Sequence, residues 1–141
     1  MRAIIGYGNE LRGEDAFGLD VIKELQKLSL KDTKLISAHQ LTPEMVLELQ
    51  EADEIIFIDT CLDEKNPYAL ACSLSRHSGL NLSHHISPKT IIYMLKSLYA
   101  RLPDFYIYSM MSNSFERITD NRRYKERVSM TAEHIISVDR Q

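Results

Sequence analysis

Cysteine is scarce in this chain: Cys61 and Cys72 are the two present, and their spacing is not that of a metal ribbon. A disulfide scaffold and a structural zinc site are not supported, and both thiols are expected to lie buried. Long apolar runs are also absent, none approaching the roughly 20 residues that a membrane-spanning helix needs. Hydrophobic residues make up 44% of the chain and charged residues 26%, the balance of a soluble globular protein. The first strand candidate begins at Arg2, which leaves no room for a secretory leader, so a cytoplasmic location is expected.

A surplus of positive charge is missing too. With 17 Lys and Arg against 20 Asp and Glu, the formal net charge is −3, and phosphate neutralisation needs a concentrated basic surface. Nucleic acid is therefore not an expected partner. Arg117, Arg122, Arg123, Lys125 and Arg127 do cluster, but Glu116, Asp120 and Glu126 are interspersed among them, as on a solvated loop and helix face. No internal repeat or linker divides the 141 residues, so residues 1–141 are expected to form one domain with one site.

What the chain does have is concentrated near its start. The apolar run Ala3-Ile4-Ile5 feeds Gly6-Tyr7-Gly8-Asn9-Glu10-Leu11-Arg12-Gly13-Glu14-Asp15-Ala16-Phe17-Gly18, a segment with four glycines and an acidic pair. It reads as strand, tight loop and helix. Phe17, Val21, Ile22, Leu25 and Leu28 recur at helical spacing, which predicts a first helix over about residues 15 to 28. Lys34 to Ala38 reads as a second strand. Thr42-Pro43-Glu44 is a helix start, because the threonine oxygen can cap backbone amides and proline suits the first helical position. Met45, Val46 and Leu49 supply that helix's buried stripe.

Glu54-Ile55-Ile56-Phe57-Ile58 is a continuous apolar run that stops at Asp59, as in a central parallel strand covered on both faces. Asp59 is thus expected at a strand's carboxyl end. Tyr68 to Leu74 alternates weakly and predicts a fourth strand, and residues Arg76 to Ser87 form a polar loop carrying His84 and His85. Pro88 opens a helix with the stripe Ile91, Ile92, Leu95, Leu98 and Tyr99, which stops before Pro103. Phe105 to Met110 is a fifth strand, and about Lys125 to Val138 a last helix, with Val128, Ala132, Ile135 and Ile136 on one side.

The order β-α-β-α-β-β-α-β-α predicts an α/β fold: an open, mostly parallel five-stranded sheet with helices on both faces. Ligands bind such sheets in the crevice outside the carboxyl ends of the strands. That rule gathers the opening loop, Asp59 and the His84 loop at one edge.

Two chemistries compete for this edge. Gly6-x-Gly8 after a strand suits a phosphate at a helix N-terminus, the reading of a nucleotide-binding α/β domain. Against it, Glu14 and Asp15 stand where a pyrophosphate would meet the helix, and the second strand ends at His39 with no acid for a ribose. The other reading is a metal site of Asp15, Asp59 and His84 or His85, a donor set that suits borderline divalent ions such as nickel or zinc. Spacing alone leaves plainer roles open: Asp15 as a first-turn carboxylate favoured by the helix dipole, Asp59 as a turn cap, and the histidines as surface residues. No Gly-x-Ser-x-Gly elbow occurs, and Cys61 has no base beside it in sequence, so it reads as structural.

The opening segment resembles the signature of the nickel-iron hydrogenase maturation endopeptidases, in which a strand leads to Gly-x-Gly-Asn, an acidic pair and a glycine inside the first helix. Ile55-Ile56-Phe57-Ile58-Asp59 is similar to the family's third strand with its aspartate. Ser83-His84-His85-Ile86-Ser87-Pro88 is similar to its histidine segment, and Ser114-Phe115-Glu116 to a further short motif. These matches run through most of the chain in the family's order.

The resemblance implies an endopeptidase that removes the C-terminal extension of a nickel-iron hydrogenase large-subunit precursor after nickel insertion. It implies nickel recognition by two carboxylates and a histidine, which carry over to Asp15, Asp59 and His84. His84 is preferred to His85 because the pattern His, any residue, apolar, small begins there; Glu14 is the alternative to Asp15. The nickel is expected to arrive with the substrate, with zinc or cadmium able to substitute. Either aspartate is a candidate general base. Gly8 and Asn9 are candidates for orienting the substrate strand or an oxyanion. A metallation-checking binding protein without cleavage is the alternative of the same fold, and a monomer is expected.

Overall fold

The computed structural model describes residues 1–63, 65–74 and 86–139. In chain order the described residues form β1 (Arg2–Tyr7), a 3-10 turn (Gly13–Ala16), α1 (Phe17–Gln26), β2 (Thr33–Ala38), α2 (Met45–Leu49), β3 (Glu54–Leu62), β4 (Leu70–Leu74), α3 (Pro88–Tyr99), β5 (Asp104–Ser112) and α4 (Asn121–Asp139). The five strands make one sheet in the order β2-β1-β3-β5-β4, parallel except for β4, which runs antiparallel to β5 at one edge.

Strand side chains alternate between faces, so a sheet covered on both sides needs apolar residues at consecutive positions. Ile4, Ile56, Ile58, Tyr108 and Met110 pack on one face with Phe17, Val21, Ile22 and Leu25 of α1 and Tyr124, Val128, Ala132 and Ile135 of α4. Ala3, Ile5, Ile55, Phe57 and Ile107 pack on the other with Met45, Val46 and Leu49 of α2 and Ile91, Ile92 and Leu95 of α3. Truncating a fully buried side chain such as Phe57 costs about 3–5 kcal/mol through lost transfer energy and the cavity left behind. None of the described helices is long and apolar enough to cross a membrane.

The structure departs from the sequence-based expectations in local ways. β3 does not end at Asp59: its ladder with β1 stops at the Gly6–Ile58 pair, while its ladder with β5 continues to the Leu62–Ser112 pair. Asp59 therefore lies where the sheet loses a strand, beside the end of β1. Tyr68 is not part of β4; it sits at φ 67°, buried, ahead of the strand. α2 has no side-chain cap, and the Thr42 carbonyl accepts from the Met45 amide instead (3.1 Å).

α3 follows its predicted signals, with Ser87 Oγ accepting from the Thr90 amide (3.2 Å), Pro88 at the first position and left-handed Ala100 as C-cap. Its buried stripe ends early, however, and Leu98 in the last turn is exposed. The cysteines also differ from expectation. Cys72 is exposed because it lies on the edge strand β4, and Cys61 is half-buried because it lies past the end of β1.

Candidate carboxylate site at the strand ends

Close backbone packing sets the position of the first helix. A Cβ on Gly6 would stand 2.1 Å from the Gly18 carbonyl oxygen, and one on Gly18 would stand 2.4 Å from that of Ile58. The start of α1 thus rests directly on the end of β1 and on β3 at Ile58, which only residues without side chains allow. Gly8 completes the wedge: its φ is +154°, and a Cβ there would stand 1.9 Å from the Asp15 carbonyl oxygen. The Thr60 hydroxyl donates to the Glu14 carbonyl (3.0 Å), joining the residue before Asp15 to the residue after Asp59. The two aspartates therefore occupy adjoining segments at the same end of the sheet.

Asp15 is oriented by its own loop, its Oδ2 accepting from the Asn9 amide (3.0 Å). Asn9 Oδ1 accepts from the Leu11 amide (2.9 Å), and the Gly8 amide donates to the Ala38 carbonyl (3.1 Å), which ties the loop to the end of β2. The amides of Gly8 and Asn9 are thus engaged inside the protein. In this conformation the two backbone amides shape the loop and are turned to partners within the protein.

Glu14, the neighbouring acid, is 0% exposed. Its carboxylate accepts from the Tyr68 hydroxyl, from Ser112 Oγ (2.5 Å), and from both the amide (3.0 Å) and the hydroxyl (3.3 Å) of Thr119. Ser112 Oγ also accepts from the amide of Ser114 (3.1 Å), the first residue of the Ser114-Phe115-Glu116 motif. Two members of the basic cluster support the same network: Arg127 Nε donates to the Tyr68 carbonyl (2.8 Å), and the Arg123 guanidinium lies over the Tyr68 ring at 5.0 Å. Glu14 thereby ties the 3-10 turn to the end of β5 and to the segments around Tyr68 and Thr119. A saturated, buried carboxylate of this kind is a structural hub rather than an ion ligand.

Asp59 has a different setting. Its register partner Ser109 donates to Oδ1 (2.5 Å), and Tyr7, one residue beyond the Gly6–Ile58 pair, donates its hydroxyl to Oδ2 (2.8 Å). Three neighbouring strands thus contribute one row, Tyr7, Asp59 and Ser109. The Cys61 thiol also lies 3.9 Å from Oδ1. Burial first, and then the Asp59 carboxylate, push the Cys61 thiol up to about 12 and the Tyr7 phenol well above its ordinary value. Both remain protonated at neutral pH, so Cys61 is not a thiolate nucleophile. The sequence reading missed Tyr7 and Ser109 because their role depends on strand register, which residue types alone do not disclose.

Asp15 and Asp59 supply hard oxygen donors of the kind divalent ions take, and each is held by a donor within the protein. The expected third ligand, His84, and its alternative His85 lie outside the described residues. Among the described residues, no three of the His, Cys, Asp and Glu side chains gather closely enough to hold an ion.

The chain thus belongs to the class of open α/β sheets covered on both faces, with two carboxylates where β1 ends and β3 continues. Comparison with solved structures narrows the fold further. The [NiFe] hydrogenase maturation protease HycI of Thermococcus kodakarensis KOD1 superposes with a TM-score of 0.78 at 19% identity, over 99% of this chain and 92% of that one. The hydrogenase maturating endopeptidase HybD of E. coli gives 0.78 at 14% identity, over 99% and 91%. The hydrogenase 2 maturation peptidase of Thaumarchaeota archaeon SCGC_AB-539-E09 gives 0.68 at 19%, over 97% and 96%. No protein-family model matches the sequence, and no curated protein matches it. The fold of this chain is that of the [NiFe] hydrogenase maturation proteases.

Proposed function

We propose that this protein is an endopeptidase that removes the C-terminal extension of a nickel-iron hydrogenase large-subunit precursor once nickel has been inserted. The whole-chain likeness to maturation proteases supports the activity class. The observation that carries the assignment to named residues is the Thr60–Glu14 tie, which joins the segments bearing Asp15 and Asp59 at the strand ends. On this reading Asp15, Asp59 and His84 recognise nickel as part of the substrate, with zinc or cadmium as substitutes, so that a loaded precursor docks productively and an empty one does not. An ion held by these residues would supply Lewis acidity to the cleavage. One of the two aspartates accepts the proton of the attacking water, and that proton then passes to the leaving amine. The protein works as a monomer on a protein partner.

The test is direct. Incubated with a nickel-loaded large-subunit precursor, the protein yields a shortened product by mass spectrometry, and the nickel-free precursor stays intact. Absence of cleavage of the loaded precursor overturns the enzyme reading.

A further inference from the structure

Asp59 is held from both sides by side chains of neighbouring strands. Ser109 on β5 reaches Oδ1 at 2.5 Å and Tyr7 on β1 reaches Oδ2 at 2.8 Å, so each carboxylate oxygen receives one hydroxyl. A carboxylate bonded at one oxygen can still turn about its terminal torsion, which is broad and soft; bonds to both oxygens from opposite sides remove that freedom. Neither hydroxyl belongs to a flexible loop. Tyr7 is the last residue of β1, and Ser109 is the register partner of Asp59 and itself buried.

We propose that Tyr7 and Ser109 are positioning residues for Asp59, a pair of hydroxyls on flanking strands that fix the plane of its carboxylate at the strand-end crevice. The inference rests on the functional reading above, in which Asp59 contacts the substrate's metal. Outer partners of this kind orient a metal-binding group and tune its affinity, and their loss typically costs about 10- to 100-fold in metal affinity or activity. Tyr7→Phe deletes only the phenolic oxygen, and Ser109→Ala only the hydroxyl. Ser109→Thr keeps a hydroxyl at the same place.

The experiment is calorimetric titration of the folded protein with nickel ion alone, well below the melting temperature, on wild type, Tyr7→Phe, Ser109→Ala, Ser109→Thr and Asp59→Ala. Tyr7→Phe and Ser109→Ala are expected to weaken nickel binding about 10- to 100-fold, with Ser109→Thr close to wild type. A purely structural role would lower the melting temperature and leave the affinity of the folded protein unchanged. If Asp59→Ala loses nickel while both hydroxyl deletions bind like wild type, the positioning inference is wrong and the site reading stands. If wild type binds no nickel, or Asp59→Ala binds as tightly as wild type, the ligand assignment itself falls and the inference falls with it.

Discussion

Glu14 and Asp15 are adjacent in sequence and opposite in circumstance. Glu14 is fully buried, its carboxylate surrounded by Tyr68, Ser112 and Thr119. Asp15 is half-buried at the strand ends, with Asn9 as its donor. The 3-10 turn that carries both explains the divergence: three residues per turn rotate successive side chains by about 120°, so neighbours cannot share a face. One acid of the pair builds the crevice and the other lines it. The same contrast holds between Glu14 and Asp59, whose partners lie along the crevice row rather than within a closed network.

Substitution should separate the two roles. Asp15→Ala and Asp59→Ala are expected to lower precursor cleavage by about 10²- to 10⁴-fold, the scale of a lost proton-transfer group. In urea unfolding each should remain cooperative, with Asp15→Ala costing about 1 kcal/mol for the lost bond to the Asn9 amide. Glu14→Ala should do the reverse. It strands the buried hydroxyls of Tyr68 and Ser112 and the amide of Thr119, and a loss of about 3 kcal/mol or more is expected in the same unfolding experiment. Nickel affinity of the fraction that stays folded should hold near wild type. Cleavage lost by Glu14→Ala at full stability would erase the distinction.

A smaller effect is expected at Gly8, whose backbone packs against that of Asp15. Gly8→Ala forces a side chain into a backbone conformation at φ +154° and against the Asp15 carbonyl oxygen. Strain of this kind costs about 1–3 kcal/mol, and it falls on the segment that holds Asp15. Both the unfolding midpoint and cleavage should decline, in contrast to Glu14→Ala, whose effect falls on stability.

How much of this could be read from the chain differs between scaffold and site. The five strands and four helices of the described residues follow from periodicity, because a sheet covered on both faces demands runs such as Ile55 to Ile58 and its helices demand stripes such as Phe17, Val21, Ile22 and Leu25. Asp15 and Asp59 could be singled out as acids next to strand ends. Their partners could not be: Ser109 faces Asp59 because of the β3–β5 register, and Tyr7 reaches it because β1 stops one residue beyond the last β1–β3 pair. Register depends on packing across the whole sheet and leaves no local mark. Tyr68 shows the same limit, since its alternation resembled a strand while its hydroxyl is committed to Glu14.

The least perturbing test of the contrast uses Cys61 as a reporter. Its thiol is pushed from 9.0 up to about 12 by burial and by the Asp59 carboxylate, a difference of three decades in thiolate fraction at neutral pH. Alkylation of Cys61 at pH 8 should therefore run about a thousandfold slower than that of an ordinary thiol, with exposed Cys72 reacting first. A folded-state value raised above the unfolded one favours the folded state fully below pH 9, and this contribution disappears as pH rises from 9 to about 12, where the unfolded thiol ionises first. Asp59→Asn removes the neighbouring charge and should speed Cys61 alkylation, whereas Glu14→Gln, in the closed network, should leave that rate unchanged. Equal acceleration by both variants would mean that the two carboxylates share one electrostatic environment. Cys61→Ala should cleave precursor like wild type, because a thiol held protonated cannot supply the nucleophile.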